Sequence, residues 1–102
     1  MRGRDLMKGF GQIQNLMAKL QKELSNQVFE GESGGGKVRV KVNGLQEVLE
    51  IKIDPEVVDP EDVEMLEDLI LLAVRSALEK SRAYQEQYMQ GIAASFGLSG
   101  LF

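Results

Sequence analysis

The stretch Gly31-Glu32-Ser33-Gly34-Gly35-Gly36-Lys37-Val38 falls one residue short of the phosphate-cradling pattern G-x-x-x-x-G-K-[ST]. Val38 has no hydroxyl to place on a magnesium ion, and the setting differs as well. A phosphate loop opens a helix whose first amides meet the phosphates, whereas Lys37 opens a run of alternating valines. The three glycines therefore read as a hairpin turn. The acidic run from Asp54 to Asp68 holds eight carboxylates and no base. It lacks the spacing and central glycine of a calcium loop. Four of its acids fall in the first turns of a helix, where they complement the helix dipole. Tyr84 and Tyr88 offer ring faces on which bases stack, but at i, i+4 on an amphipathic helix their expected role is packing.

Nothing else in the chain is equipped for catalysis. There is no cysteine and no histidine, which removes Ser-His-Asp and Cys-His nucleophile systems, thiolate ligands and the commonest general base. Carboxylates are plentiful, but no nucleophile, metal-ligand set or cofactor loop accompanies them. The expectation is a binding protein, with no enzyme activity, cofactor, metal or small-molecule substrate.

Charge is segregated. The net charge is −4, yet residues 1–22 carry Arg2, Arg4, Lys8, Lys19 and Lys22 against Asp5 alone, while the eight acids of 54–68 stand unopposed. Such asymmetry favours a partner on one face. The N-terminus opens directly into an amphipathic pattern, and the longest apolar run, Leu69 to Val74, is far too short to span a membrane. A cytoplasmic protein is expected.

The elements that must position these charges follow from periodicity. Leu6, Phe10, Ile13, Met17, Leu20 and Leu24 alternate spacings of four and three, which predicts a helix from about Asp5 to Ser25. Its outer row, Arg4, Lys8, Gln12, Asn15, Lys19 and Lys22, is either a solvated coat or a contact for a polyanion. Gln27 to Ser33 reads as a short edge strand. Lys37 to Val42 alternates valines with bases, Asn43-Gly44 signals a hairpin, and Leu49, Ile51 and Ile53 continue the buried face on a returning strand. Asp59-Pro60 predicts the start of a second helix and Gly91 its end.

Eleven of the sixteen residues from Val63 to Leu78 are apolar, and they occupy nearly every side of that helix. One three-stranded sheet and one helix are too small to cover it. The surplus, at Met65, Leu69, Leu71 and Leu72, predicts a two-fold subunit interface. The fold class is α+β: a long N-terminal helix, a three-stranded antiparallel meander and a long C-terminal helix. One domain spans residues 1–92, followed by a glycine-rich, loose tail at 93–102.

The chain resembles the YbaB/EbfC family of bacterial nucleoid-associated proteins over roughly residues 5–92. The resemblance is carried by Gly31-Glu32-Ser33-Gly34-Gly35-Gly36 followed by Lys37-Val38-Arg39-Val40, by Asn43-Gly44, by Ile51-Lys52-Ile53-Asp54-Pro55, and by Glu64-Met65-Leu66-Glu67-Asp68-Leu69 leading into Ala73-Val74. It implies an intertwined homodimer whose long helices project as arms that grip double-stranded DNA. It further implies nucleoid association, with effects on DNA conformation and gene expression. The family has no short base-reading motif to carry over. The candidate DNA contacts are the bases on the helices: Arg2, Arg4, Lys8, Lys19 and Lys22 on the first, Lys80 and Arg82 on the second. At these spacings they would meet phosphates, giving affinity with little sequence information. The competing expectation is a protein–protein adaptor whose arms hold partner helices, motivated by the apolar length near Tyr84, Tyr88, Met89 and Ile92.

Overall fold

The structure, a computed structural model, describes residues 3–95, with side chains described from Gly9 onward. Helix α1 (Gly3–Asn26) leads into a three-stranded antiparallel meander of β1 (Val28–Ser33), β2 (Val38–Asn43) and β3 (Val48–Ile53). A single 3-10 turn, Pro55–Val57, precedes helix α2 (Val63–Ser95). The predicted α+β order is the observed one.

The glycine turn does what its composition allows. Gly34, Gly35 and Gly36 all adopt positive φ, at 59°, 66° and 87°, a region open to glycine and strained for other residues. Lys37, expected to open the strand, closes the turn instead, with its N–H on the Gly34 carbonyl, and β2 begins at Val38. Its ammonium binds the carboxylates of Asp54 and Glu56 across the sheet end. The phosphate-loop likeness ends there.

Val38, Val40 and Val42 are fully buried, and with Ala73 and Ala77 of α2 they form the core. Helix α2 crosses the sheet at Gly31, where an added Cβ would lie 2.3 Å from both the Ala73 carbonyl oxygen and the Ala77 nitrogen. Only a glycine lets a helix backbone approach a strand that closely. Further contacts walk α2 along β1: Ser33 Oγ donates to the Leu69 carbonyl at 2.5 Å, and the Tyr84 ring packs tilted by 50° against Phe29, with centroids 5.2 Å apart.

Three expectations about this part of the chain need correction. Leu49, Ile51 and Ile53 are exposed. Ile51 and Ile53 do pair with Val40 and Val38, on the same sheet face as the core valines, but α2 lies over β1 and β2 and leaves β3 uncovered. A bulge next to Lys41 and Val42 brings Val48, and not Leu49, opposite Val42. Helix α2 begins at Val63 because Asp62 accepts from Met65 N at 3.2 Å, whereas Asp59 caps only a local turn through Glu61 N at 2.9 Å. The same helix runs through Gly91 to Ser95, absorbing a cost of about 1 kcal/mol for an interior glycine.

Asn43 and Gly44 do mark a hairpin, though by a longer route than a two-residue turn. The buried Asn43 carboxamide accepts from Leu45 N and Glu47 N, both at 3.0 Å, and organises the loop into β3. Gly44 sits against α1: its N–H donates to the Leu24 carbonyl at 2.8 Å, and a Cβ there would lie 2.5 Å from that oxygen. This contact roots α1 at the loop end of the sheet.

Candidate nucleic-acid interface

Above its root, α1 stands clear of the sheet. Leu20 and Leu24 are buried, while farther along the same seam Met17, Ile13 and Phe10 are 53%, 60% and 62% exposed. The apolar spacing that predicted the helix is therefore packed, among the described side chains, only in its last two turns. A chain extending 69 × 25 × 18 Å accommodates such a projecting helix.

The arm is held in place by α2. Tyr84 and Tyr88 stack with their ring centroids 5.9 Å apart, and the Tyr88 hydroxyl donates to the Glu23 carboxylate. With Phe29 beneath them, they form a ladder from the sheet to the arm. Their expected packing role is the observed one, and neither ring offers a free face pair for bases.

The candidate contact residues are not all equivalent. Lys19 and Lys22 are exposed on α1 and form no ion pair among the described residues. Arg2 lies outside the described residues, as do the side chains of Arg4 and Lys8. Arg82 is exposed on α2, while Lys80 is tied back to the sheet by a 2.7 Å bond from its ammonium to the Glu30 carbonyl.

The cations of the sheet's outer face are engaged too. Arg39 faces Glu30 at 3.8 Å, Lys41 and Lys52 share Glu50 at 3.5 and 3.6 Å, and Lys37 holds Asp54 and Glu56. The Glu56 carboxylate, with Asp54 beside it, raises the Lys37 ammonium above its ordinary pKa. The Glu56 N–H, with Lys37 beside it, holds the Asp54 carboxyl below its own. A face whose charges cancel in pairs attracts anions weakly; among the described residues the exposed cations outside any ion pair include Lys19 and Lys22 on α1 and Arg75 and Arg82 on α2.

The negative charge lies at the other end. Lys37 binds Asp54, and Leu69 meets Ser33, so the 54–68 segment gathers at the glycine-turn end of the sheet. The arm is rooted at the opposite, Gly44 end. Among the described residues no group of acids is arranged to hold a metal ion, and no helix is long and apolar enough to cross a membrane.

The predicted interface residues divide. Met65, Leu71 and Leu72 are exposed, Leu72 most of all at 55%, whereas Leu69 packs against the core of its own chain and against Gly34. Sequence reasoning missed Ile51 and Ile53 as further surface apolar groups. Their alternation marked them as face residues, but nothing local says which element covers that face.

Known proteins share this pattern. Residues 1–96 match the model of the YbaB/EbfC DNA-binding family. A nucleoid-associated protein of Chloroflexus aurantiacus is 48% identical over 102 residues, covering all of both chains. A nucleoid-associated protein of Syntrophobacter fumaroxidans is 47% identical over 100 residues, covering 98% of this chain and 91% of that one. The crystal structure of an uncharacterized protein from Helicobacter pylori has a TM-score of 0.67 at 22% identity, covering 85% of this chain and 98% of that one, and shares the fold. With its helix–meander–helix order and a family match spanning nearly its whole length, this chain belongs to the YbaB/EbfC DNA-binding family.

Proposed function

We propose that the chain is a nucleoid-associated protein that grips double-stranded DNA as a homodimer with little sequence specificity, altering DNA conformation and influencing nucleoid organisation and gene expression from within the cytoplasm. Its work on this reading is binding and not catalysis. The observation that carries it is the alignment of charge with shape: the base-rich N-terminal segment forms the projecting α1, and the acid-rich 54–68 segment lies at the far end of the sheet. A polyanion is attracted to one end and repelled from the other, which orients the protein on the duplex.

The homodimer is supported by surface. A compact monomer of this mass exposes about 5,700 Å², whereas the single chain exposes 7664 Å². The difference exceeds the roughly 800 Å² that each partner of a standard interface buries. The apolar part lies on β3 at Ile51 and Ile53 and on α2 at Met65, Leu71 and Leu72. A two-fold arrangement laying the partner's α2 over the uncovered β3 face would bury both and set two arms on one particle.

The test is a fluorescence-anisotropy titration of a labelled duplex across salt concentrations. Lys8, Lys19 and Lys22 on two arms supply up to six phosphate contacts, each contributing about 0.9 to the slope of log K against log salt. Neutralising the three should therefore weaken binding and flatten the slope by about 5. Unchanged affinity and slope would remove α1 from the interface.

A further inference from the structure

We propose that the exposed face of α1 is also a docking surface for a second copy of this chain, engaged through that copy's acidic end, so that self-association and DNA compete for one arm. The proposal rests on the reading of α1 as the DNA-gripping element.

Phosphates do not account for the arm's composition. Phe10, Ile13 and Met17 form a single stripe at i, i+3 and i+7, each more than half exposed. Lys19 and Lys22 are exposed on the same helix. Apolar anchors beside cations are the makings of a protein contact with an acidic partner.

The complement is on the chain itself. Val58 and Val63, both about half exposed, flank the turn that leads into α2. Between and beyond them Glu61 and Glu64 are exposed and form no ion pair among the described residues. The sheet's own cations are already engaged by other carboxylates, so among the described residues neither Lys19 and Lys22 of the arm nor Glu61 and Glu64 of the far end are paired within the chain. The two surfaces occupy opposite ends of the sheet, so one copy cannot satisfy itself. The contact is head-to-tail between copies and need not close into a ring. Five half-exposed apolar side chains and a charged rim make a small interface, of the weak class below about 1,200 Å². It should form at low salt and yield to a duplex, whose charge density is far higher.

Sedimentation velocity on the full chain without DNA, at about 20 mM and about 300 mM salt, tests this. At low salt the average mass should rise with protein concentration above its high-salt value, and adding a short duplex should reverse the rise. The pair Glu61→Lys and Glu64→Lys should abolish the growth with helicity unchanged by circular dichroism. The pair Lys19→Glu and Lys22→Glu should abolish it as well, and mixing the two double variants should restore it, because a reversed arm then meets a reversed end. Absence of salt-dependent growth, growth that survives both charge reversals, or failure of the mixture to associate would overturn the proposal. Growth that the duplex leaves intact would overturn the shared surface. Should the Lys19→Glu, Lys22→Glu variant lose self-association yet bind duplex as the parent does, docking stands and the DNA assignment of the arm fails.

Discussion

Replacing Gly31 with alanine should destabilise this protein more than replacing any glycine of the turn that follows it. The new Cβ would sit 2.3 Å from the Ala73 oxygen and the Ala77 nitrogen and 3.0 Å from the Ala77 Cα. Ordinary contact begins about an ångström farther out, and all three atoms are backbone of one helix, so no side chain can swing aside. Helix α2 must lift from β1 as a body, drawing Ala73 and Ala77 away from Val38, Val40 and Val42. Overpacking costs about 1–3 kcal/mol where side chains can adjust, and a rigid obstacle places this site at about 3 kcal/mol. Gly35→Ala is the control. Nothing lies within 4 Å of its Cβ position, but φ is 66°, so it should lose only about 1 kcal/mol to the left-handed conformation. Urea unfolding at fixed protein concentration measures both, since any dimer couples stability to concentration. With a slope of about 1–1.5 kcal/mol per molar, Gly31→Ala should move the midpoint by about 2–3 M and Gly35→Ala by less than about 1 M. Equal midpoints for the two variants, or the reverse order, would refute the account of how α2 seats on the sheet.

Three further outcomes follow from individual contacts. Asn43→Ala should cost about 1–3 kcal/mol, because it leaves Leu45 N and Glu47 N without their acceptor at a buried loop; a midpoint within error of the parent would mean that water replaces the carboxamide. The contacts of Glu56 with Lys37 and with Asp54, joined by the Lys37–Asp54 pair, set two pH limits. The lowered Asp54 pKa contributes stability that is present above the unfolded-state value and is lost as pH falls through the folded one. The raised Lys37 pKa contributes stability that is full below its unfolded value and is lost as pH rises through the folded one. Asp54→Asn should flatten the acid limb of a stability–pH profile measured by thermal unfolding, and Lys37→Met the alkaline limb; limbs unchanged by these substitutions would assign the pH dependence to other groups. Leu72→Glu, at a side chain already 55% exposed, should leave the single chain folded yet halve the particle mass seen by light scattering at high salt. A mass that does not change would move the subunit contact off α2.

Local rules made much of this fold readable. The four-and-three spacing of α1, the alternating valines of β2 and the triple glycine each act within a few residues of themselves, and each element formed where they placed it. The start of α2 was harder because Asp59 and Asp62 carry the same capping chemistry; only the bond from Met65 N to Asp62 tells which one begins the helix. Gly44 reads as a turn glycine, yet its tightest constraint is Leu24, twenty residues earlier in the chain, and periodicity carries no information about such an encounter. The exposure of Ile51 and Ile53 shows a related limit. Alternation assigns a side chain to a face, but what covers that face depends on where α2 crosses the sheet, which Gly31 decides. In the arm, the stripe was legible as apolar; its bareness from Met17 outward was not, because the pattern does not say how far the neighbouring helix follows it.

The bond from Gly44 to Leu24 also gives α1 a mechanical character. The helix from Leu24 back to Gly3 is a stiff rod of about 32 Å fixed near one end. Rotating such a rod by about 5° at its base carries the free end through nearly 3 Å, close to the 3.4 Å rise between successive phosphates of one strand. A misfit too small to disturb the sheet therefore becomes a full step of register at the tip. On the proposed reading, the precision with which such a lever meets a double helix is decided at its fulcrum, where the Gly44 amide, the missing side chain there and the Tyr88–Glu23 bond set the angle.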